Sequence, residues 1–368
     1  MRSLSTAWNH ARSKGYGARP EHLRGGGILI PVKIGAMKIN ALVDTGSDTS
    51  IIDIEKANKE NIKLKETVDG SSTASNIKII RYYPIIISIG TSKFSINLSG
   101  SDFKPFVGEK DLGLIIGMDV LKNCVIQMDY NMNMFQISPK PLTPPSKTFL
   151  PLKRVPGKSG RAVQFLWPDG GTTYAQLDTG NDGALSINWT EWLKHKPKNY
   201  TPTSSQKNFL TGVAEVGLAG VSGLRLGDSE LPRFDVEIIN SNIVYDLSVL
   251  GIMGMGILKC SSFQIDFQAD RLYFSDRHDC PRLQHEGAGL GFSFGKQGLV
   301  VTNVMRHSPA EAAGFIAGEE VCEINGQAIT RNYRSEPVSA WQKQPKGTKA
   351  SLRLCSGERR EIVLDDFY

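Results

Sequence analysis

Short runs in which apolar and polar residues alternate fill much of the chain. Glycines, prolines and Asn-containing turns separate them, a pattern that predicts strands joined by hairpins rather than long helices. Ile28 to Ile34, a turn at Gly35-Ala36 and Met37 to Val43 read as one hairpin. Arg81 to Ile89 and Lys93 to Leu98 read as another around Gly90-Thr91, and Val125 to Tyr130 with Met134 to Ser138 as a third. Further on, Arg161 to Trp167 and Thr172 to Leu177 flank the turn Pro168-Asp169-Gly170-Gly171. Helical patterning is confined to short pieces: Thr49 to Asp53 begins a strand or short helix, and Asn188 to His195 reads as a short helix.

The pattern occurs twice. Asp44-Thr45-Gly46 and Asp178-Thr179-Gly180 each follow an apolar strand-like run, and they stand 134 residues apart. Leu112 to Leu121 is matched by Gly251 to Leu258, with Gly254 in the place of Gly117. Gln127, Asp129 and Ser138 then correspond to Gln264, Asp266 and Ser275 at a constant offset of 137. A repeat of this length predicts two lobes built on one plan. Asp129 and Asp266, in late strands, read as fold residues, and Trp189 and Trp192 as core. Pro139 to Lys147 is a proline-stiffened linker. The organisation expected is a basic, disordered lead-in over 1–24, a first lobe over 25–138, a linker over 139–149, a second lobe over 150–278 and a different domain over 283–368.

Two carboxylates placed together suit one chemistry. They cannot both ionise at close range, so they share a proton. The ionised one takes a proton from water while the protonated one hydrogen-bonds a substrate carbonyl. Thr braces the loop through its hydroxyl, and Gly lets the backbone turn behind the carboxylate.

Ala41 to Asp48 and Gln176 to Asp182 resemble the active-site loop of retropepsin-like aspartic proteases, with both copies in one chain as in a fused dimer. The resemblance implies a mainly β fold: two retropepsin- or pepsin-like β-barrel lobes related by a pseudo-twofold axis. It assigns catalysis to Asp44 and Asp178, loop support to Thr45, Gly46, Thr179 and Gly180, and contacts to substrate backbone to Asp48 and Asp182. It places a mobile flap hairpin over Glu66 to Ile80 and, in the second lobe, over Phe209 to Leu226. The family's Arg after the supporting Gly is replaced by Met118 and Met255, so the charge network beneath the loops differs. No cofactor or metal is expected.

After Asp276 the composition changes. Gly289-Leu290-Gly291-Phe292, Ser308-Pro309-Ala310-Glu311 and Ile324-Asn325-Gly326 follow in the order of a PDZ domain of the bacterial type, an α+β fold. The resemblance makes Leu290, Gly291 and Phe292 a carboxylate loop for the C-terminus of a peptide ligand, with Pro337 to Gln344 as the groove helix. A purely structural PDZ domain stays open.

The net charge of +6 is scattered among 368 residues, which argues against nucleic acid as a partner. The longest apolar run, Val249 to Leu258, is too short to cross a bilayer, so no membrane partner is expected. The five cysteines show neither a disulfide framework nor metal-ligand spacing, and Cys124 and Cys260 fall at matching places, as buried thiols or as a bridge. As written, the chain reads as cytoplasmic, or as periplasmic or secreted if the native start lies upstream of Met1. The expectation is therefore a monomeric aspartic endopeptidase acting on polypeptides. Its alternatives are a catalytically silent peptide-binding scaffold, and a protease held inactive until its PDZ domain or lead-in moves.

Overall fold

A computed structural model describes residues 17–18, 21–22, 27–71, 76–90, 92–103, 112–129, 132–197, 200–209, 212–239, 251–275 and 287–368. The hairpins expected from alternation are present: Ile28–Ile34 pairs with Met37–Val43, and Arg161–Leu166 with Thr172–Leu177. Alternation decides which side is buried, with Val32 and Ile34 inside and Pro31 and Lys33 in water. The fold is mainly β.

The first lobe is a sheet in the order Leu64–Ser71, Asn76–Tyr82, Leu98–Ser101, Ser50–Asp53, Leu112–Ile116, Met37–Val43, Ile28–Ile34, Ile85–Ile89, Ser92–Ile96. The second lobe repeats it position by position: Thr203–Phe209, Gly212–Val221, Phe234–Ile239, Leu185–Asn188, Gly251–Met253, Thr172–Leu177, Arg161–Leu166, Arg225–Leu226, Ser229–Glu230. In each lobe the strand ending at the Asp-Thr-Gly loop runs parallel to the strand ending at the supporting Gly. Each sheet also ends in a long edge hairpin. The second-lobe hairpin has its first arm at Thr203–Phe209, upstream of the stretch expected.

A further sheet joins the lobes, ordered Gly17–Ala18, Met134–Ser138, Val125–Asp129, Phe263–Asp266, Arg271–Phe274, Phe149–Pro151. Its order is a palindrome of the repeat. Gln127 lies opposite Gln264, its own counterpart, so the pseudo-twofold axis passes between them. One continuous apolar core, including Ile126, Phe135, Phe263 and Ile265, extends through both lobes. Ser262 Oγ donates to Asp129 across the junction, and Asp266 caps the turn at Gln268 and Ala269, which gives both aspartates fold roles.

Three expectations are corrected. The lead-in is ordered in part: Gly17–Ala18 pairs with Phe135 and Gln136, and Glu21–His22 with Ile28 and Leu29. Phe149–Pro151 and Lys153–Arg154 make the same pairings in the second lobe, so the repeat unit reaches back to Gly17. Residues 1–16 lie outside the described residues. Disulfides are present as well: Cys322 bonds Cys355, and Cys260 is disulfide-bonded, while Cys124 is a buried free thiol whose pKa desolvation pushes up to about 11. Cys124 and Cys260 therefore do not pair. Cys322 and Cys355 meet because their strands are neighbours, with Val321 opposite Leu354, a proximity that a separation of 33 residues does not announce. Finally, Trp192 is core at 1% exposure, but Trp189, on the outer face of the same short helix, is 41% exposed.

The C-terminal domain has its own apolar core and a sheet in the order Leu290–Phe294, Leu299–Val304, Glu320–Ile324, Lys349–Leu354, Arg359–Val363. The expected groove helix is a 3-10 helix, Pro337–Lys343, whose Trp341 is buried in that core.

Candidate active site

The parallel strand pairs fix where the two Asp-Thr-Gly loops begin. Asp44 N–H donates to Ile116 O and Asp178 N–H to Met253 O, each at 3.0 Å. The loop then folds back on its own carboxylate. Gly46 N–H and Ser47 N–H reach Asp44 Oδ1 at 2.8 and 3.1 Å, and Gly180 N–H and Asn181 N–H reach Asp178 Oδ1 at 2.9 and 3.1 Å. One oxygen of each carboxyl is thereby held by backbone amides.

The loops are locked to each other by their threonines, both buried. Thr45 N–H donates to Thr179 Oγ1 and Thr179 N–H to Thr45 Oγ1, both at 3.1 Å. Each hydroxyl passes its own proton across the axis, Thr45 Oγ1 to Leu177 O at 2.8 Å and Thr179 Oγ1 to Val43 O at 2.6 Å. Gly46 lies against the Asp178 carboxyl and Gly180 against the Asp44 carboxyl, so close that a Cβ on either would overlap it. Glycine is required here by close approach rather than by a positive φ.

This packing brings Asp44 and Asp178 into a side-chain hydrogen bond. Burial, followed by the charge of Asp178, holds the Asp44 carboxyl well above the usual carboxylate range; the Gly46 and Ser47 amides oppose this in part. Two carboxyls in such contact titrate as a pair rather than singly.

Gly117 and Gly254 support the loops from beneath. A Cβ on Gly117 would strike the carbonyl of Thr49, and one on Gly254 those of Asn181 and Gly183. Met118 N–H donates to Ser47 O and Met255 N–H to Asn181 O, both at 2.8 Å. With methionine there, the polar supports come from residues that sequence reasoning missed. Ser50 Oγ accepts from Gly117 N–H at 3.1 Å and donates to Asp119 at 2.7 Å; Ser186 Oγ accepts from Asn181 Nδ2 at 3.4 Å and donates to Glu237. Burial raises the Asp119 pKa, and its buried Oδ2 has no partner among the described residues. The available signal was a serine at the start of the strand after each loop, first in Ser50–Asp53 and second in Leu185–Asn188.

Asp48 and Asp182 are not brought together with the dyad in the same way. Asp48 Oδ1 accepts from Ser159 N–H at 2.9 Å, a bond from the first lobe to the second. Asp182 is exposed near Lys259, whose ammonium burial pulls down and Asp182 pulls back up. In the C-terminal domain, Leu290, Gly291 and Phe292 begin an edge strand. The buried Gln342 side chain sits on it, Leu290 N–H donating to Oε1 at 3.2 Å and Nε2 donating to Leu290 O at 3.0 Å.

Among the described residues no cluster of His, Cys, Asp and Glu would hold a metal ion, and no helix is long and apolar enough to cross a membrane. No curated protein matches the chain. Residues 28–129 match the family model of retroviral aspartyl proteases, and residues 281–354 match that of PDZ domains. The first match falls within the first lobe, and the second lobe shares that lobe's strand order and loop geometry. The chain thus carries a retroviral aspartyl protease domain followed by a PDZ domain.

Proposed function

We propose that the chain is an aspartic endopeptidase that hydrolyses peptide bonds in extended polypeptides. The observation that supports this most is the reciprocal Thr45–Thr179 lock, which holds the Asp44 and Asp178 carboxyls in hydrogen-bonding contact. The pair holds one proton. The ionised carboxyl takes a proton from a water that attacks the scissile carbonyl, and the protonated one donates to that carbonyl oxygen. The resulting tetrahedral diol collapses as the amine leaves with a proton from the dyad, and no bond forms between enzyme and substrate. The edge hairpins, Leu64–Ser71 with Asn76–Tyr82 and Thr203–Phe209 with Gly212–Val221, serve as lids. Both carboxylates come from one chain, so a monomer suffices.

The Cys322–Cys355 bridge and the bonded Cys260 support an oxidising compartment over the cytoplasm expected from the N-terminal residues. The test of activity is incubation with an unfolded protein mixture from about pH 3 to about pH 7, with new termini mapped by mass spectrometry. Cleavage flanked by apolar residues is expected from the wild type and none from Asp44→Asn or Asp178→Asn. Peptide binding by all three without turnover would instead support the scaffold reading.

A further inference from the structure

The PDZ ligand loop and the second-lobe hairpin are joined by a short run of hydrogen bonds. At one end stands Gln342. Its backbone carbonyl accepts from Gly287 N–H at 2.9 Å, and its carboxamide meets both the N–H and the C=O of Leu290. A strand residue whose two backbone groups face off a sheet edge is the place where an added peptide strand would bond. Here one side chain, 8% exposed, fills it.

From the loop the run continues inward. Gly289 O accepts from Met305 N–H at 2.9 Å. The next residue, Arg306, leaves the PDZ domain for the protease. Its N–H donates to Ser204 Oγ at 3.1 Å, its C=O accepts from Thr203 Oγ1 at 2.6 Å, and its guanidinium lies 3.5 Å from Glu215. Thr203 and Ser204 are on one arm of the second-lobe hairpin and Glu215 on the other. A second attachment steadies the contact: Tyr368 OH donates to Asp235 at 3.2 Å, and Arg233 donates to Tyr368 O. Thr203 and Ser204 are buried, so neither hydroxyl has water as a ready substitute for Arg306.

We propose that Gln342 is a built-in occupant of the PDZ ligand loop, and that its seat on Leu290 is coupled through Met305 and Arg306 to the second-lobe hairpin. A peptide with a free carboxylate takes the loop by displacing Gln342, and the displacement loosens the hairpin. The exchange is chemically reasonable, because a carboxylate binds backbone N–H groups more strongly than a neutral carboxamide, and the peptide's own N–H replaces Nε2 as the donor to Leu290 O. Coupling is reciprocal, so whatever frees the hairpin also strengthens peptide binding. That loosening gates cleavage rests on the hairpin's being a lid of the proposed protease; the coupling itself does not.

The test uses the full chain and two readouts that need no cleavage. The first is anisotropy with labelled short peptides ending in a free Leu, Val or Phe carboxylate, against the same peptides amidated. Gln342→Ala and the double variant Thr203→Val/Ser204→Ala are each expected to bind the free-acid peptides about tenfold more tightly than the wild type, with amidated peptides gaining nothing. The second is hydrogen exchange, in which Gln342→Ala is expected to speed exchange across 203–209 and 212–221 while Glu320–Ile324 keeps its protection. Should Gln342→Ala unfold the PDZ core, the double variant, which leaves that core untouched, decides the matter alone. Unchanged affinity in the double variant, or no binding by any variant, would overturn the proposal. Absence of cleavage by the wild type would count against the protease reading and leave these measurements standing.

Discussion

Thr45 and Thr179 donate their backbone N–H groups to each other's hydroxyls at the same distance, 3.1 Å, and each hydroxyl donates onward to the strand that carries the opposite aspartate. Neither lobe holds its own Asp-Thr-Gly loop alone.

Removing one hydroxyl therefore leaves buried backbone groups unmet in the opposite lobe. Thr45→Val strands the Thr179 N–H and the Leu177 carbonyl, at a cost of about 2–4 kcal/mol. Urea unfolding should show a lower midpoint at an unchanged slope. Thr179→Val should behave alike, and a cost confined to one of the two would contradict the symmetry of the lock.

The dyad should trade stability for chemistry in a pH-dependent way. Burial and the Asp178 charge place the Asp44 carboxyl higher in the folded chain than in the unfolded one. A carboxyl shifted upward binds its proton more tightly when folded. Its favourable contribution is complete below the unfolded pKa and is lost as pH rises through the folded value. At neutral pH the fold thus carries a penalty that an uncharged side chain would relieve. Asp44→Asn should melt higher than the wild type near pH 7 and gain least near pH 3, about one unit below the ordinary Asp value. A variant that melts lower at neutral pH would contradict the sign.

The Cys322–Cys355 bridge spans 33 residues in a domain with its own apolar core. Cys322→Ser/Cys355→Ser should lower that domain's stability by about 2–4 kcal/mol, and reductant should shift the wild type toward the variant. Melting unaffected by reductant in a protein shown to hold the bridge would remove the argument for an oxidising compartment.

What was legible in the sequence follows from local chemistry. Asp44, Thr45 and Gly46 recur as Asp178, Thr179 and Gly180 because each lobe needs the same turn, and Gly117 and Gly254 recur because a neighbouring carbonyl leaves no room for a Cβ. Hairpins such as Ile28–Ile34 with Met37–Val43 show in the alternation that burial on one face demands. Gly17–Ala18 was not legible, since two small residues carry no alternation and their pairing is decided by the open edge beside Met134–Ser138. Asp48 bonding Ser159 and Gln342 bonding Leu290 were hidden for a related reason: each depends on which distant backbone the fold places nearby.

The most direct test of the central claim is cleavage of an unfolded polypeptide in water enriched in oxygen-18, with the new carboxyl termini read by mass spectrometry. If water activated between Asp44 and Asp178 performs the attack, each first-formed terminus carries one heavy oxygen, and neither Asp44→Asn nor Asp178→Asn yields product. Cleavage that survives in either variant would contradict the account.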